Sequence, residues 1–158
     1  MLELLVGLPG SGKSTYARQK LAEAVANDRP GSVAVVSFDA IRREVFGCGY
    51  VPEVQESVCV LFKQQLSLLL AGRRRVLVDN MNLRRAFRDR WAQIARQYGH
   101  QVIVTEFRGD PEECWHRVLV RGLPFRGGRD AFDLLVQRRE EDRAEHGANG
   151  SDQWFEET

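Results

Sequence analysis

Four short apolar runs, each closed by polar or turn-forming residues, give the chain its rhythm. They are residues 2–6 (LELLV), 32–38 (SVAVVSF), 75–79 (RVLVD) and 101–107 (QVIVTEF). Runs this short and this continuous are expected of strands buried on both faces. Between them the apolar positions change to helical spacing. Residues 13–26 read as one helix, broken by Asp28, Pro30 and Gly31. Residues 52–71 read as a longer one, with Val54, Val58, Leu61, Phe62, Leu66 and Leu69 on a stripe and Gly72 after its end. Phe87, Trp91, Ile94 and Tyr98 mark a third stripe, closed by Gly99. Asp110, Pro111 and Glu113 form a helix start of cap, first-turn proline and capping box, and that helix is expected to run to about Arg121. A loop, GLPFRGG, precedes a last helix over residues 130–145.

Strands alternating with helices predict an α/β fold: a parallel sheet of about four strands with crossover helices on both faces. One domain is expected over residues 1–158, with no internal repeat. The segment HGANGSD, residues 146–152, has a linker's composition. It leaves a tail, QWFEET, which either folds back on the domain or leads into something longer.

Composition narrows the function classes. Net charge is +1, so no global basic field marks the chain as a nucleic-acid binder. Three cysteines, Cys48, Cys59 and Cys114, show neither CxxC nor metal spacing, which suggests reduced thiols and a cytoplasmic setting. No apolar run approaches the about 18 residues of a membrane span, and no obligate protein partner is evident.

The chemistry begins at the end of the first strand. Gly7-Leu8-Pro9-Gly10-Ser11-Gly12-Lys13-Ser14 matches G-x-x-x-x-G-K-[ST] in full, with a strand before it and a helix after it. Glycines let backbone N–H groups turn inward around an anion, and the helix N-terminus adds partial positive charge. Gly7, Gly10, Ser11, Gly12, Lys13, Ser14 and Thr15 are therefore the expected nucleotide contacts. Lys13 is expected to reach the β- and γ-phosphates and to take no part in a core, Ser14 to hold Mg²⁺, and Thr15 to meet the α-phosphate. ATP and Mg²⁺ are the implied cofactors, in a P-loop NTPase fold of kinase type.

Asp39 follows the second strand in SFDAIRRE, at the sheet edge where open α/β folds bind ligands. A carboxylate there can accept a proton from an attacking hydroxyl, and Arg42 lies one helical turn on. The alternative is a helix-capping aspartate beside a solvated arginine. Asp79 ends the third strand as a Walker B acid would, a second metal contact beside Ser14, with the amides of Asn80 and Asn82 at the same edge. Arg117 and Arg121 share one helix face, and Arg126 and Arg129 follow in the loop. Helix, loop and last helix, about residues 111–145, have the order of a lid that brings arginines to a triphosphate. Seven arginines, Arg73, Arg74, Arg75, Arg84, Arg85, Arg88 and Arg90, cluster around the third strand and its helix and could meet nucleic-acid phosphates.

GLPGSGKSTYA, FDAIRRE, VDNMNLRRAFRDRWAQIARQYG and HRVLVRG stand in the order and spacing of the P-loop polynucleotide 5′-hydroxyl kinases, so residues 1 to about 140 resemble that family. The resemblance implies ATP-dependent phosphoryl transfer to the 5′-hydroxyl of DNA or RNA. It makes Asp39 the general base, Arg42 the ligand of the acceptor's 3′-phosphate, and Arg121 the lid arginine on the donor phosphates. Lys13 joins Asp39 and Arg121 as catalytic, Arg117 and Arg126 join the nucleotide contacts, and Asn82 and Arg88 join Arg42 as acceptor contacts. Met81 stands where the family usually has threonine, and Val118 where it often has asparagine. Seryl-tRNA kinases and small-metabolite kinases use the same scaffold, and a nucleotide-sensing switch is a further alternative.

Overall fold

Every residue of the first strand, β1 (Leu2–Val6), is buried, Glu3 included, because β1 lies in the middle of the sheet. The computed structural model describes residues 1–122, 125–146 and 154–157. In chain order β1 is followed by α1 (Lys13–Ala26), β2 (Val33–Val36), α2 (Phe38–Phe46), a 3₁₀ turn (Pro52–Val54) and α3 (Gln55–Ala71). Then come β3 (Arg75–Asp79), α4 (Arg85–Gln97), β4 (Val102–Phe107), α5 (Pro111–Val120), α6 (Gly128–His146) and β5 (Trp154–Glu157). The sheet order is β2-β3-β1-β4-β5, and all pairings are parallel.

The connections leaving β1 and β3 go to opposite sides. From β1 the chain passes to β2 beyond β3, and from β3 it returns across β1 to β4. That reversal opens a crevice at the carboxyl end of β1, the place where ligands sit in such sheets. Leu2, Leu4, Val6, Val76 and Val78 face α3, α4, α5 and α6 in the larger core, with Phe62, Trp91 and Phe132 fully buried among them. Leu5 and Leu77 face the other way, against Ala17 and Tyr16 of α1 and against Phe107. Helices thus cover both faces of the sheet.

The four expected strands are consecutive neighbours in it. The tail adds a fifth at the edge, paired along β4 from Val104↔Trp154 to Phe107↔Glu157, so it folds back on the domain. From residue 147 the expected linker lies outside the described residues, as do Leu123 and Pro124 of the loop before α6.

Two local expectations are corrected, and the end of α3 at Gly72 is as read with one detail added. The second strand stops at Val36, because Ser37 caps α2 by accepting from the Ala40 N–H at 3.4 Å, and Phe38 is already helical. Gly72 after α3 has φ −73°, and the left-handed residue of that turn is Arg73, φ 53°. The buried face of α4 is Arg88, Trp91, Ala92 and Ala95, while Phe87 and Tyr98 are exposed. The α5 start is as read: the Asp110 carboxylate accepts from the Glu113 N–H at 3.0 Å.

Candidate active site

The loop between β1 and α1 is shaped by contact with α5. Gly10 has φ 84°, and a Cβ there would stand 2.3 Å from the carbonyl oxygen of Cys114, so only glycine lets the loop lie on that helix. Gly12 has φ 104°, and a Cβ there would meet only Phe107 Cδ1 at an ordinary 3.9 Å, so its need is conformational. Gly12 also starts α1 without a side-chain cap, and the first turn holds no acidic residue. In the first turn the Thr15 N–H reaches back to the Gly12 carbonyl at 2.9 Å, and no acidic side chain of that turn offsets the positive helix end.

Lys13 folds back over this loop. Its Nζ donates to the Gly7 carbonyl at 2.9 Å, the Leu8 carbonyl at 2.7 Å and Ser11 Oγ at 3.3 Å. The side chain is buried, which corrects the expectation that it stands clear of any core. Burial lowers its pKa to about 8, opposed by the negative charges of Asp79 and Asp39 and assisted by the positive charge of Arg121. Three groups singled out in the sequence, on three different elements, are therefore within electrostatic reach of one ammonium. Ser14 and Thr15 are exposed on the first turn of α1, and Arg18 Nη2 donates to Thr15 Oγ1 at 3.3 Å.

Asp79 pairs in register with Leu5, one strand over from the start of the loop, and Gly7 N–H donates to the Met81 carbonyl at 3.1 Å. The strand acid and the phosphate loop are thereby tied together. Asn80 Oδ1 accepts from Phe38 N–H at 2.9 Å and fixes the start of α2 to the end of β3. Phe38 also packs on Phe62 with ring centroids 4.4 Å apart. Asp39, the next residue, is carried on a turn anchored from both sides. Its carboxylate is 81% exposed, and Arg42 Nη1 donates to it from below. Arg42 is itself buried, its Nη2 donating to Gln55 Oε1 at 2.7 Å. Asp39 thus lies in a helix's first turn with Ser37 as the cap, and its exposed carboxylate is within electrostatic reach of Lys13.

Two expected acceptor contacts are structural instead. Arg88 is 1% exposed; it donates to the Asn82 and Leu83 carbonyls at 3.0 Å and to Asp142 Oδ2 at 2.8 Å, joining α4 to α6. Asn82, φ 47°, spends its amide N–H₂ on the carbonyls of Leu5, Val78 and Asn80 and locks the β3 turn to β1. The arginine cluster is also divided. Arg73, Arg74 and Arg75 lie at the amino end of β3 and the other four beyond its carboxyl end, about 13 Å of strand apart. Arg75 is paired with the buried Glu3.

In the α5–α6 region, Arg117 Nη1 donates to the Gly10 carbonyl at 3.4 Å, so it touches the phosphate loop. Arg121 caps the end of α5 and is exposed. Arg129 is held by Glu112 and Asp133, which raise its pKa, and it lies near the Trp115 and Phe132 rings. Arg126 departs from its expected place. Its guanidinium lies 5.5 Å from the ring of Tyr50, in the α2–α3 connection, and away from the phosphate loop. Tyr50 and Gln55 were not singled out by any motif; only their nearness in sequence to Asp39 and Arg42 could have pointed to them.

Comparison with known proteins agrees with this architecture. The AAA_33 family, described as an AAA domain, matches residues 2–148. No curated protein matches the chain. Among solved structures, a chain of the Pnkp1/Rnl/Hen1 RNA repair complex is 22% identical with a TM-score of 0.74, over 91% of this chain and 45% of that one. Kti12 of Chaetomium thermophilum, in complex with ADP-AlF3, is 21% identical with a TM-score of 0.67, over 99% and 89%. The APS kinase CysC of Mycobacterium tuberculosis, in complex with AMPPNP and APS, is 19% identical with a TM-score of 0.60, over 73% and 66%. The chain thus spans under half the length of the repair-complex chain. No helix among the described residues is long and apolar enough to cross a membrane. The match over nearly the whole chain and the phosphate loop at the carboxyl end of β1 lead to one conclusion: this chain belongs to the AAA_33 family and has a P-loop, kinase-like fold.

Proposed function

We propose that the chain is a kinase that transfers the γ-phosphoryl group of ATP to a hydroxyl, most consistently the 5′-hydroxyl end of DNA or RNA. The observation that carries the reading is Asp39. An exposed carboxylate oriented by a buried arginine, within electrostatic reach of the phosphate-loop lysine, suits a base for an attacking hydroxyl.

The residues fit a nucleotide and its metal. The uncapped, acid-free start of α1 suits an anion, and phosphate beside Lys13 would favour its charged form against the cost of burial. Ser14 and Asp79 would hold Mg²⁺, a hydroxyl and a carboxylate being the oxygen donors that this ion takes together with phosphate oxygens. When bound, ATP supplies the phosphoryl group and Mg²⁺ screens its charge. For the chain's own residues, the loop amides and Lys13 orient the triphosphate, and Asp39 takes the hydroxyl proton on its carboxylate. Arg117 and Arg121 meet the charge that develops on the transferring group. Arg42, beneath Asp39, is the cation for a phosphate next to the acceptor hydroxyl. The polynucleotide reading draws on the resemblance in FDAIRRE and HRVLVRG and on the likeness to the repair-complex chain.

A small hydroxylated metabolite is the second reading, since the APS kinase and a Sinorhizobium meliloti gluconokinase share the fold. Incubation with γ-labelled ATP and a mixture of 5′-hydroxyl oligonucleotides and small polyols separates the readings by where the label lands. Label released only as inorganic phosphate would instead mean a hydrolysing switch.

A further inference from the structure

Tyr50 is half-exposed, belongs to no core cluster and has no part in the phosphoryl-transfer roles above. Two guanidinium groups nevertheless approach its ring. Arg42 lies 5.2 Å from the ring centroid and Arg126 5.5 Å. The two differ in their freedom. Arg42 is buried and held by Asp39 and Gln55, so it is a fixed support. Arg126 is exposed, and its hydrogen bond to the Tyr50 carbonyl is long at 3.5 Å, so it can shift to admit a guest. A half-exposed aromatic ring approached by a fixed and a movable guanidinium is a stacking platform for a flat, electron-rich ring.

Its position gives the guest an identity. One guanidinium, that of Arg42, separates the ring of Tyr50 from the carboxylate of Asp39. In a nucleoside one sugar separates the base from the 5′-oxygen. A hydroxyl on Asp39 and a base on Tyr50 are therefore compatible ends of a single nucleotide, whereas a polyol has no ring to offer. Resting on the kinase reading above, we infer that Tyr50 and Arg126 form a subsite that stacks the base of the acceptor's terminal nucleotide, and that this stack selects nucleotide acceptors over polyols.

The test uses two 5′-hydroxyl oligonucleotides that differ only in whether the terminal nucleotide carries its base or is abasic. Stacking on one aromatic side chain supports about a tenfold change in KM. Wild-type protein should show that rise when the base is removed. Tyr50→Ala should show it with the normal acceptor and add nothing with the abasic one, while Tyr50→Phe stays near wild type. Nucleotide affinity, unchanged in each variant, verifies the fold. Equal KM increases for both acceptors in Tyr50→Ala would overturn the inference and leave Tyr50 as a support for Arg42. Wild-type protein indifferent to the abasic change would overturn it without any variant. Failure of wild-type protein to phosphorylate any oligonucleotide would instead bring down the kinase reading, and the subsite with it.

Discussion

Lys13 is charged at neutral pH at the cost of lost hydration, and two backbone carbonyls hold its ammonium where phosphate would lie. The pH dependence of nucleotide binding follows. Bound phosphate favours the protonated lysine and raises its pKa above the free value of about 8. Below that value the lysine is already charged and affinity is flat. Above it each binding event must take up a proton, and affinity falls by up to about tenfold per pH unit until the bound-state pKa is reached. Calorimetric titration of ADP between pH 7 and 10 checks this, and a flat affinity to pH 9.5 would count against it. The place of Lys13 at the start of α1, behind the glycine-rich loop, was legible from motif spacing. Its burial was not, because spacing does not say where the side chain rests without phosphate. Arg88 and Asn82 misled for a related reason: a polar residue beside a motif reads as surface chemistry, and only the packing of α4 on α6 and of the β3 turn on β1 reveals an internal brace.

At the level of elements, the strongest brace is the ion pair between Arg88 of α4, 1% exposed, and Asp142 of α6. Arg88→Ala takes the guanidinium donor from the Asn82 and Leu83 carbonyls and from Asp142, which keeps the Arg85 N–H on Oδ1, and is expected to cost about 1–3 kcal/mol, measured by urea unfolding. Arg88→Met, which keeps much of the volume, should cost less than Arg88→Ala. A loss below about 1 kcal/mol for Arg88→Ala would mean that water reaches the pair. Strand and helix existence was legible because the apolar runs alternate cleanly between short continuous blocks and helical stripes. Ends were less so. Phe38 extends an apolar run, yet Ser37 in front of it is a cap, and the cap prevails because it satisfies a first-turn N–H of α2. For β5 the sequence left two alternatives, a tail that folds back or one that leads on, because four residues after a linker-like segment are too few to display a period, and its pairing with β4 is wholly non-local.

For the whole molecule, the topology gathers residues from β1–α1, α2, β3 and α5 at one crevice, and this gathering was legible once strand ends were aligned with motifs. The resemblance already set Arg121 apart from Arg126 and Arg129, but the partners that hold each of them were not legible, since all sit in one short stretch with similar neighbours. Arg121 is the exposed one whose charge reaches Lys13, whereas Arg129 is held by two carboxylates. Arg121→Ala is expected to lower kcat by about 10³-fold or more with little change in KM for ATP, the behaviour of a group that acts mainly on developing charge. Arg129→Ala should lower the melting temperature and leave kcat within a few-fold. Steady-state kinetics of both variants decide this. The reverse pattern would move the transition-state arginine to α6.

The central claim, that Asp39 takes a proton from a 5′-hydroxyl as phosphate is transferred, is tested most directly by end-labelling. A 5′-hydroxyl oligonucleotide is incubated with γ-labelled ATP and either wild-type protein or Asp39→Asn, and nucleotide affinity is measured alongside. Asparagine keeps the shape and an oxygen for Arg42 but is a far weaker base. The expected result is label on the 5′ end with wild-type protein, a rate lower by about 10²- to 10⁴-fold with the variant, and equal ATP affinity in both. Undiminished transfer by Asp39→Asn, or wild-type label recovered only as inorganic phosphate, would contradict it.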